Sequence, residues 1–545
     1  MKFKEALLRE LHRRGITTIF GVPGRENEKI FFDEVPEIEY ITTRVEFTAG
    51  IAADAAGRIS QRPQVCFATM GPGATNLTTA VASSCLNKSP VIYITSQLEC
   101  DDIIYNYTHQ CVDQKKIMEP ITKWSYELKS AGEIEDVLDR AFAVCMTEPL
   151  GPVHIAIPVD FYDAEVPYVN GKSIFIQEIK LPENKVDACL IDKLVSDINK
   201  VKKPLIILGQ EVIRTGAVAS VKKFILDKKI PFISTANAKG IIPFENPLNY
   251  GSASCYMEGI LHYNALSDIF DDIDMIICIG YQYVDDLLPK MWERGVDKKL
   301  VSISTLGTEK IRNKFKPEYE LVGNISDIFS KLSDANIKPK EIIEKKELKI
   351  KYKEVLGKKS ESGEGLTPGN VMGILNENIE DGVIVTDIGY YRHHAILFGL
   401  PNKINTFLSD TGLSSFGTGL PSAIGVQTIE RDKAVFVVCG DGGFHSSSCD
   451  LATLVKYNFP IVVIVLNSSS YTLIDNYQHR GGGSNDNITN LSHIDFAKLA
   501  EANGCVGKKA SCSKELDCIL KERDKNRPLV VDVTFKYDDD FKISF

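Results

Sequence analysis

The sequence predicts an α/β protein built from three doubly wound parallel-sheet domains. Short continuous apolar runs, the mark of strands buried on both faces, recur along the chain and end in turn residues. Segments of helical spacing lie between these runs, so neighbouring strands are expected to run parallel. At 545 residues the chain is also too long for a single core.

The runs fall into three sets. "TTIFGVPG", "QVCFATMGPG" and "PVIYITSQ" predict a first domain over 1–170. "PLIILGQ", "PFISTANAKG", "MIICIGYQY" and "KLVSIST" predict a second over 185–335. "GVIVTDIG", "KAVFVVCGDGG", "PIVVIVLNSSS" and "PLVVDVTF" predict a third over 368–545. A polar, turn-rich stretch around 167–188 is the expected crossing between the first two. A charged helix followed by a Gly/Ser stretch, over 336–367, is the expected linker into the third. In such folds ligands sit beyond the carboxyl ends of the strands.

Composition excludes several classes of function. A formal net charge of −10 leaves no basic stripe for phosphates, so no nucleic-acid partner is expected. No apolar span reaches membrane length, and "MKFKEALLRELHRRG" reads as a first helix rather than a leader. The 13 cysteines are odd in number and form no Cys-x-x-Cys pair, which predicts reduced thiols and a cytoplasmic location. His393-His394 is the only histidine doublet, and adjacent side chains point apart, so no zinc site is expected. No strand ends in Gly-x-Gly-x-x-Gly, which disfavours a nicotinamide dehydrogenase.

One stretch carries specific chemistry. In "VVCGDGGFHSSSCDLATLVKYNFPIVVIVLNSSSY" a strand breaks at Gly440-Asp441-Gly442-Gly443, a helix follows, and a second strand ends in residues 467–470. Asp441 and the polar loop therefore lie at the carboxyl ends of neighbouring parallel strands. A hard cation such as magnesium takes a carboxylate, neutral oxygens and phosphates. The N–H groups of Gly442 and Gly443, opening the helix, suit an anion. Together they describe a metal–diphosphate site; alone, an Asp at this position is more often a helix cap.

"GDGG…LNSSSY" resembles the cofactor motif of thiamine-diphosphate-dependent enzymes, a Gly-Asp-Gly followed about 27 residues later by a double asparagine. "GVPGRENEKIF", "TTRVEFTAGIAADAAGR", "MGPGATNLTTAVASSCLNKSPVIYITSQ" and "HQCVDQKKIMEPITKWSYEL" resemble the pyrimidine-binding domain of the acetolactate synthase and 2-oxo-acid decarboxylase group. "SFGTGLPSAIG" and the central runs follow the same group, so the likeness spans nearly the whole chain. It implies pyrimidine-binding, central and diphosphate-binding domains, with thiamine diphosphate and Mg2+ as cofactors.

The resemblance also assigns residues. Glu46 would meet the pyrimidine ring, and a buried glutamate there would have a raised pKa. In this family that glutamate reaches the cofactor held by another subunit, which implies a homodimer or homotetramer with active sites at the subunit interface. Phe416 would prop the bent cofactor and Ser414 would offer its carbonyl to the pyrimidine amine. Pro23, Gly24 and Asn76 would touch the cofactor from the first domain; Asp387, Gly389, Tyr390, Gly440, Gly442, Gly443 and Tyr471 would hold it from the third. Asp441, Ser468 and the carbonyl of Ser470 would bind the metal, with Ser468 replacing the family's usual asparagine. Gln110 matches an active-site glutamine of the synthases, His109 is its neighbour, and Lys123 has a counterpart there.

The reaction expected is decarboxylation of a 2-oxo acid such as pyruvate, followed by carboligation to a second carbonyl compound. Simple decarboxylases of the group often carry acids where this chain has Arg25 and Ile474, and without them rapid protonation of the intermediate is poorly served. Arg25 could instead grip an extra anionic group on a substrate, or pair with Glu26 or Glu28. The alternatives are a decarboxylase releasing an aldehyde, and a catalytically silent cofactor-binding subunit, which Ser468 motivates. The central domain carries no fingerprint that supports FAD.

Overall fold

The computed structural model describes the chain except residues 32–34, 106–107, 168–178, 182–185, 253–268, 286, 288, 290–291, 293–296, 309–313, 343–344, 481–482, 484 and 538–545. Most of the crossing expected around 167–188 lies outside the described residues. The described residues form three six-stranded sheets, parallel throughout.

The first sheet holds β1 (Thr18–Gly21), β2 (Glu39–Thr42), β3 (Gln64–Ala68), β4 (Val91–Gln97), β5 (Trp124–Glu127) and β6 (Val153–Pro158), in the order β2-β1-β3-β4-β6-β5. β3, β4 and β6 are buried along their whole length, as strands covered on both faces must be. The second sheet holds β7 (Pro204–Leu208), β8 (Phe232–Ser234), β9 (Asn249–Ser252), β10 (Met275–Ile279), β11 (Lys299–Ser304) and β12 (Tyr319–Val322), in the order β12-β11-β10-β7-β8-β9. The third holds β13 (Val383–Thr386), β14 (Phe407–Ser409), β15 (Val435–Gly440), β16 (Val462–Asn467), β17 (Val506–Ala510) and β18 (Leu529–Thr534), in the order β14-β13-β15-β16-β18-β17. The first and third sheets share one topology. In each, the chain reverses its direction of travel between the first and third strand, which opens a crevice at their carboxyl ends.

Two compact units emerge from the contacts. One comprises Met1–Lys180, Gly412–Asp432 and Ser446–Phe459. In it the helix Glu46–Ser60 is buried from Thr48 to Ile59, because its run of alanines and glycines lets neighbours come close. A Cβ on Gly50 would lie 2.5 Å from the Cβ of Ala80, and one on Gly425, in the helix Gly419–Ile429, would lie 2.0 Å from the carbonyl oxygen of Ala52. Lys123 donates to the carbonyls of Val144 and of Thr147 (2.6 Å), so it closes the carboxyl end of the helix Ile134–Cys145.

The other unit holds the second and third sheets. The segment expected as a linker contains the helix Lys346–Gly357, which buries Leu348, Tyr352 and Val355 in a core shared with the helix Pro368–Asn378. A Cβ on Gly373 would lie 2.1 Å from the carbonyl oxygen of Leu356, so the two helices touch backbone to backbone. Lys239 is fully buried; its Nζ donates to the carbonyls of Gly399 (2.7 Å) and Ala395 (3.3 Å) at the end of the helix Tyr390–Phe398, and burial drives its pKa far down. The described cysteines are free, and no helix among the described residues is long and apolar enough to cross a membrane.

Candidate active site

At the β13/β15 reversal of the third sheet, Asp387 follows β13, Asp441 follows β15 and the serine loop follows β16. β15 is paired residue for residue with β16 up to Gly440 and Leu466, which sets Asp441 beside the loop. The helix Asp441–Ser447 starts at the carboxylate itself.

Asp441 is buried and its carboxylate is hydrogen-bonded through both oxygens. One carboxylate oxygen accepts from the N–H of Gly442 at 2.8 Å; the other accepts from the N–H of Ser470 at 3.2 Å and the hydroxyl of Ser468 at 3.4 Å. Burial raises its pKa, and these donors oppose the shift. Ser468 Oγ also lies 3.0 Å from the carbonyl oxygen of Ser470, 2.7 Å from Thr472 Oγ1 and 3.2 Å from the hydroxyl of Tyr391. A carboxylate, a carbonyl and three hydroxyls thus converge at one strand end.

The glycines of the turn are required by close neighbours. A Cβ on Gly440 would stand 2.3 Å from the Tyr391 ring, one on Gly442 2.8 Å from the Tyr471 ring, and one on Gly443 3.0 Å from the Asp387 carboxylate. Gly389 has φ 142°, which favours glycine. The residues present fit a hard divalent cation with a diphosphate. The donors are all oxygen, the two glycines after Asp441 add no side chain of their own to the turn, and the buried Ser470 Oγ has no partner among the described residues.

Three details differ from the sequence-based expectation. Tyr390 is 1% exposed, with its ring packed among Tyr391, His394, Phe535 and Tyr537; the tyrosine whose hydroxyl reaches the loop is Tyr391. Thr472 joins the same cluster. Neither Tyr391 nor Thr472 had been singled out, although each adjoins a motif residue. Asn467, the first loop position, turns away: its amide donates to the carbonyl of Ile494 (2.9 Å) and to Asp532 on β18 (3.0 Å).

The other unit gathers a second set at the β1/β3 reversal. Glu46 opens its helix, half-buried rather than buried, and Asn76 Nδ2 donates to Glu46 Oε2 at 3.0 Å. A Cβ on Gly73 would be 3.5 Å from Glu46 Oε1 and 2.7 Å from the methyl of Thr69. Thr69 Oγ1 donates to Glu26, in the loop after β1. That loop is braced by the buried Asn27, which accepts from the N–H of Gly24 (2.7 Å) and donates to the carbonyl of Val22 (3.2 Å). Pro23 and Arg25 are exposed on it. Gln110 adopts φ 63°, and its Cβ would stand 2.6 Å from a Cβ on Gly71, so it backs directly onto the turn after β3; His109 beside it is exposed. Ser414 has φ 58°, and Phe416 is 51% exposed, a large share for an aromatic ring. Lys123 holds a helix end rather than joining this set.

Three family models match the chain: the N-terminal thiamine pyrophosphate binding domain of thiamine pyrophosphate enzymes over residues 1–117, the central domain over 191–332, and the C-terminal thiamine pyrophosphate binding domain over 387–533. The probable acetolactate synthase large subunit of Methanocaldococcus jannaschii is 29% identical, covering 98% of this chain and 92% of that relative. The acetolactate synthase of Bacillus subtilis is 26% identical, covering 98% and 93%. The acetolactate synthase large subunit of Corynebacterium glutamicum is 27% identical, covering 97% and 86%.

Proposed function

This chain belongs to the thiamine pyrophosphate enzyme family and is a thiamine-diphosphate-dependent enzyme of the acetolactate synthase group; on that premise we propose that it decarboxylates a pyruvate-like 2-oxo acid and joins the remaining fragment to a second carbonyl compound. The observation that carries the reading is the oxygen cluster of Asp441, Ser468 and Ser470 at the turn that holds Gly442 and Gly443. Bound thiamine diphosphate supplies a nucleophilic carbon and an electron sink for the pair left behind when CO2 departs.

The chain's own residues then have distinct tasks. Asp441, Ser468 and the Ser470 carbonyl would hold Mg2+, whose charge would offset that of the diphosphate. Glu46 holds a proton at the far pyrimidine nitrogen, and Asn76 fixes the orientation of its carboxyl group. Phe416 would pack against the bound cofactor, and Ser414 would offer its carbonyl to the pyrimidine amine. We place the working site between two copies of the chain, in a homodimer or a pair of dimers, with Glu46 from one copy and Asp441 from the other. The free thiols suit a cytoplasmic location.

Ligation rather than aldehyde release is favoured by what flanks the site. Arg25 and Ile474 are exposed, and neither a guanidinium nor an alkyl chain can deliver a proton near neutral pH. With no proton donor at these two positions, capture by an acceptor would compete better with protonation. CO2 release from a panel of 2-oxo acids tests the reading, with thiamine diphosphate and Mg2+ present or withheld and Glu46→Gln as control. Cofactor-dependent release that the variant loses is the expected result. Cofactor binding with no release from any acid would contradict the reading and favour a silent subunit.

A further inference from the structure

Arg25 stands on a loop the fold has gone to some trouble to fix. Asn27, wholly buried, bonds to both Gly24 and Val22 and locks the loop's shape, leaving Arg25 exposed on it. The carboxylates nearest in sequence do not neutralise it. Glu26 accepts from Thr69 instead, Glu28 is exposed, and Arg25 has no ion pair among the described residues. A line of contacts leads from this loop to the pyrimidine glutamate: Glu26 meets Thr69, Thr69 crowds Gly73, and Gly73 faces Glu46. Arg25 thus lies on a fixed loop at the same strand end as Glu46, with no ion pair among the described residues.

The reaction class decides what such a group can hold. A guanidinium bound to the carboxylate that leaves as CO2 would stabilise charge in the ground state that disappears in the transition state, and would slow the step. Useful binding must come from an anion that survives. We propose that Arg25 binds a substrate carboxylate, or a like oxyanion, that is retained through decarboxylation. This inference rests on the function proposed above. The retained anion has two sources, the carboxylate of a 2-oxo acid acting as acceptor or a second anionic group on the donor. In either case the planar fork engages two oxygens at once, which lysine cannot reproduce.

The test compares wild type, Arg25→Ala and Arg25→Lys as loaded enzymes. In one arm pyruvate is the donor and the acceptors are a 2-oxo acid or a neutral aldehyde. In the other the donors are pyruvate or 2-oxoglutarate with one neutral acceptor. Arg25→Ala is expected to raise KM for the member of one pair that carries the retained anion, relative to the member that lacks it, by about 10- to 100-fold, with Arg25→Lys intermediate. The arm in which the change falls identifies the source. Unchanged ratios in both arms, or an equal loss for both members of each pair, would overturn the inference while leaving the proposed function standing. No CO2 release by wild type from any acid would overturn both.

Discussion

The Ser468 hydroxyl and the Asp441 carboxylate meet at 3.4 Å although 27 residues separate them in the chain. The pairing of β15 with β16 makes the meeting unavoidable, since the last paired residues, Gly440 and Leu466, stand just before the acid and the loop. If this pair holds the cation, Asp441→Asn removes the one formal charge among the proposed ligands. It should weaken Mg2+-dependent thiamine diphosphate binding by at least about 100-fold. Ser468→Ala should weaken it by roughly 10-fold, and Ser468→Asn, with a longer neutral oxygen ligand, should retain or tighten it. Thermal-shift titrations of the cofactor, with Mg2+ or with a chelator, measure all three.

Asn76 should matter through Glu46. Glu46→Gln is expected to lower kcat by about 10²- to 10⁴-fold with the fold and cofactor affinity largely kept, because it removes a positioned proton rather than a contact. Asn76→Ala should cost roughly 10-fold and leave the carboxyl group free to turn. A loss in cofactor affinity equal to the loss in kcat would show that these residues bind rather than activate.

Gly425 should tolerate no side chain. An added Cβ would fall 2.0 Å from the Ala52 carbonyl, so Gly425→Ala must push the helix Gly419–Ile429 off the helix that begins at Glu46. Overpacking of this kind costs about 1–3 kcal/mol or more, which predicts a melting temperature lowered by several degrees and a kcat reduced with it. An unchanged melting curve would contradict the packing described.

Asp285 predicts a pH dependence. It is buried in the central domain, accepts from the N–H groups of Gln282 (3.1 Å) and Gln210 (3.3 Å) on a single oxygen, and burial pushes its pKa up to about 7. A carboxyl raised in the folded state adds stability that is complete below its unfolded value near 4, and that is lost as pH rises through about 7. Asp285→Asn keeps one acceptor oxygen for both bonds without the charge. It should therefore be more stable than wild type at pH 8, by about 1–3 kcal/mol, with the gap closing toward pH 5. Parallel melting curves at the two pH values would refute this.

The sheets were legible because strands covered on both faces must be largely apolar: β10 and β15 carry no polar side chain but cysteine, and β3, β4 and β16 carry theirs chiefly at their ends. The turn at Asp441 was legible because three glycines around one acid have few other uses. Which of two adjacent tyrosines reaches the loop was not, since neighbours on a helix point about 100° apart and sequence does not say which face is inward. Tyr390 took the core and Tyr391 the site. Lys123 misled for a related reason: a lysine beside the right motif can serve the nearest helix end instead. The charged helix before Gly357 was legible as a helix, whereas its packing was not, because Lys and Glu dominate it and only three residues, Leu348, Tyr352 and Val355, are buried.

The central claim is tested most directly by following 13C-labelled pyruvate with the loaded enzyme and identifying the products by NMR, with and without an added carbonyl acceptor. The account predicts CO2 together with a new carbon–carbon bond, formed only with thiamine diphosphate and Mg2+ present and lost in Glu46→Gln. Acetaldehyde as the sole organic product, unchanged by any acceptor, would contradict it.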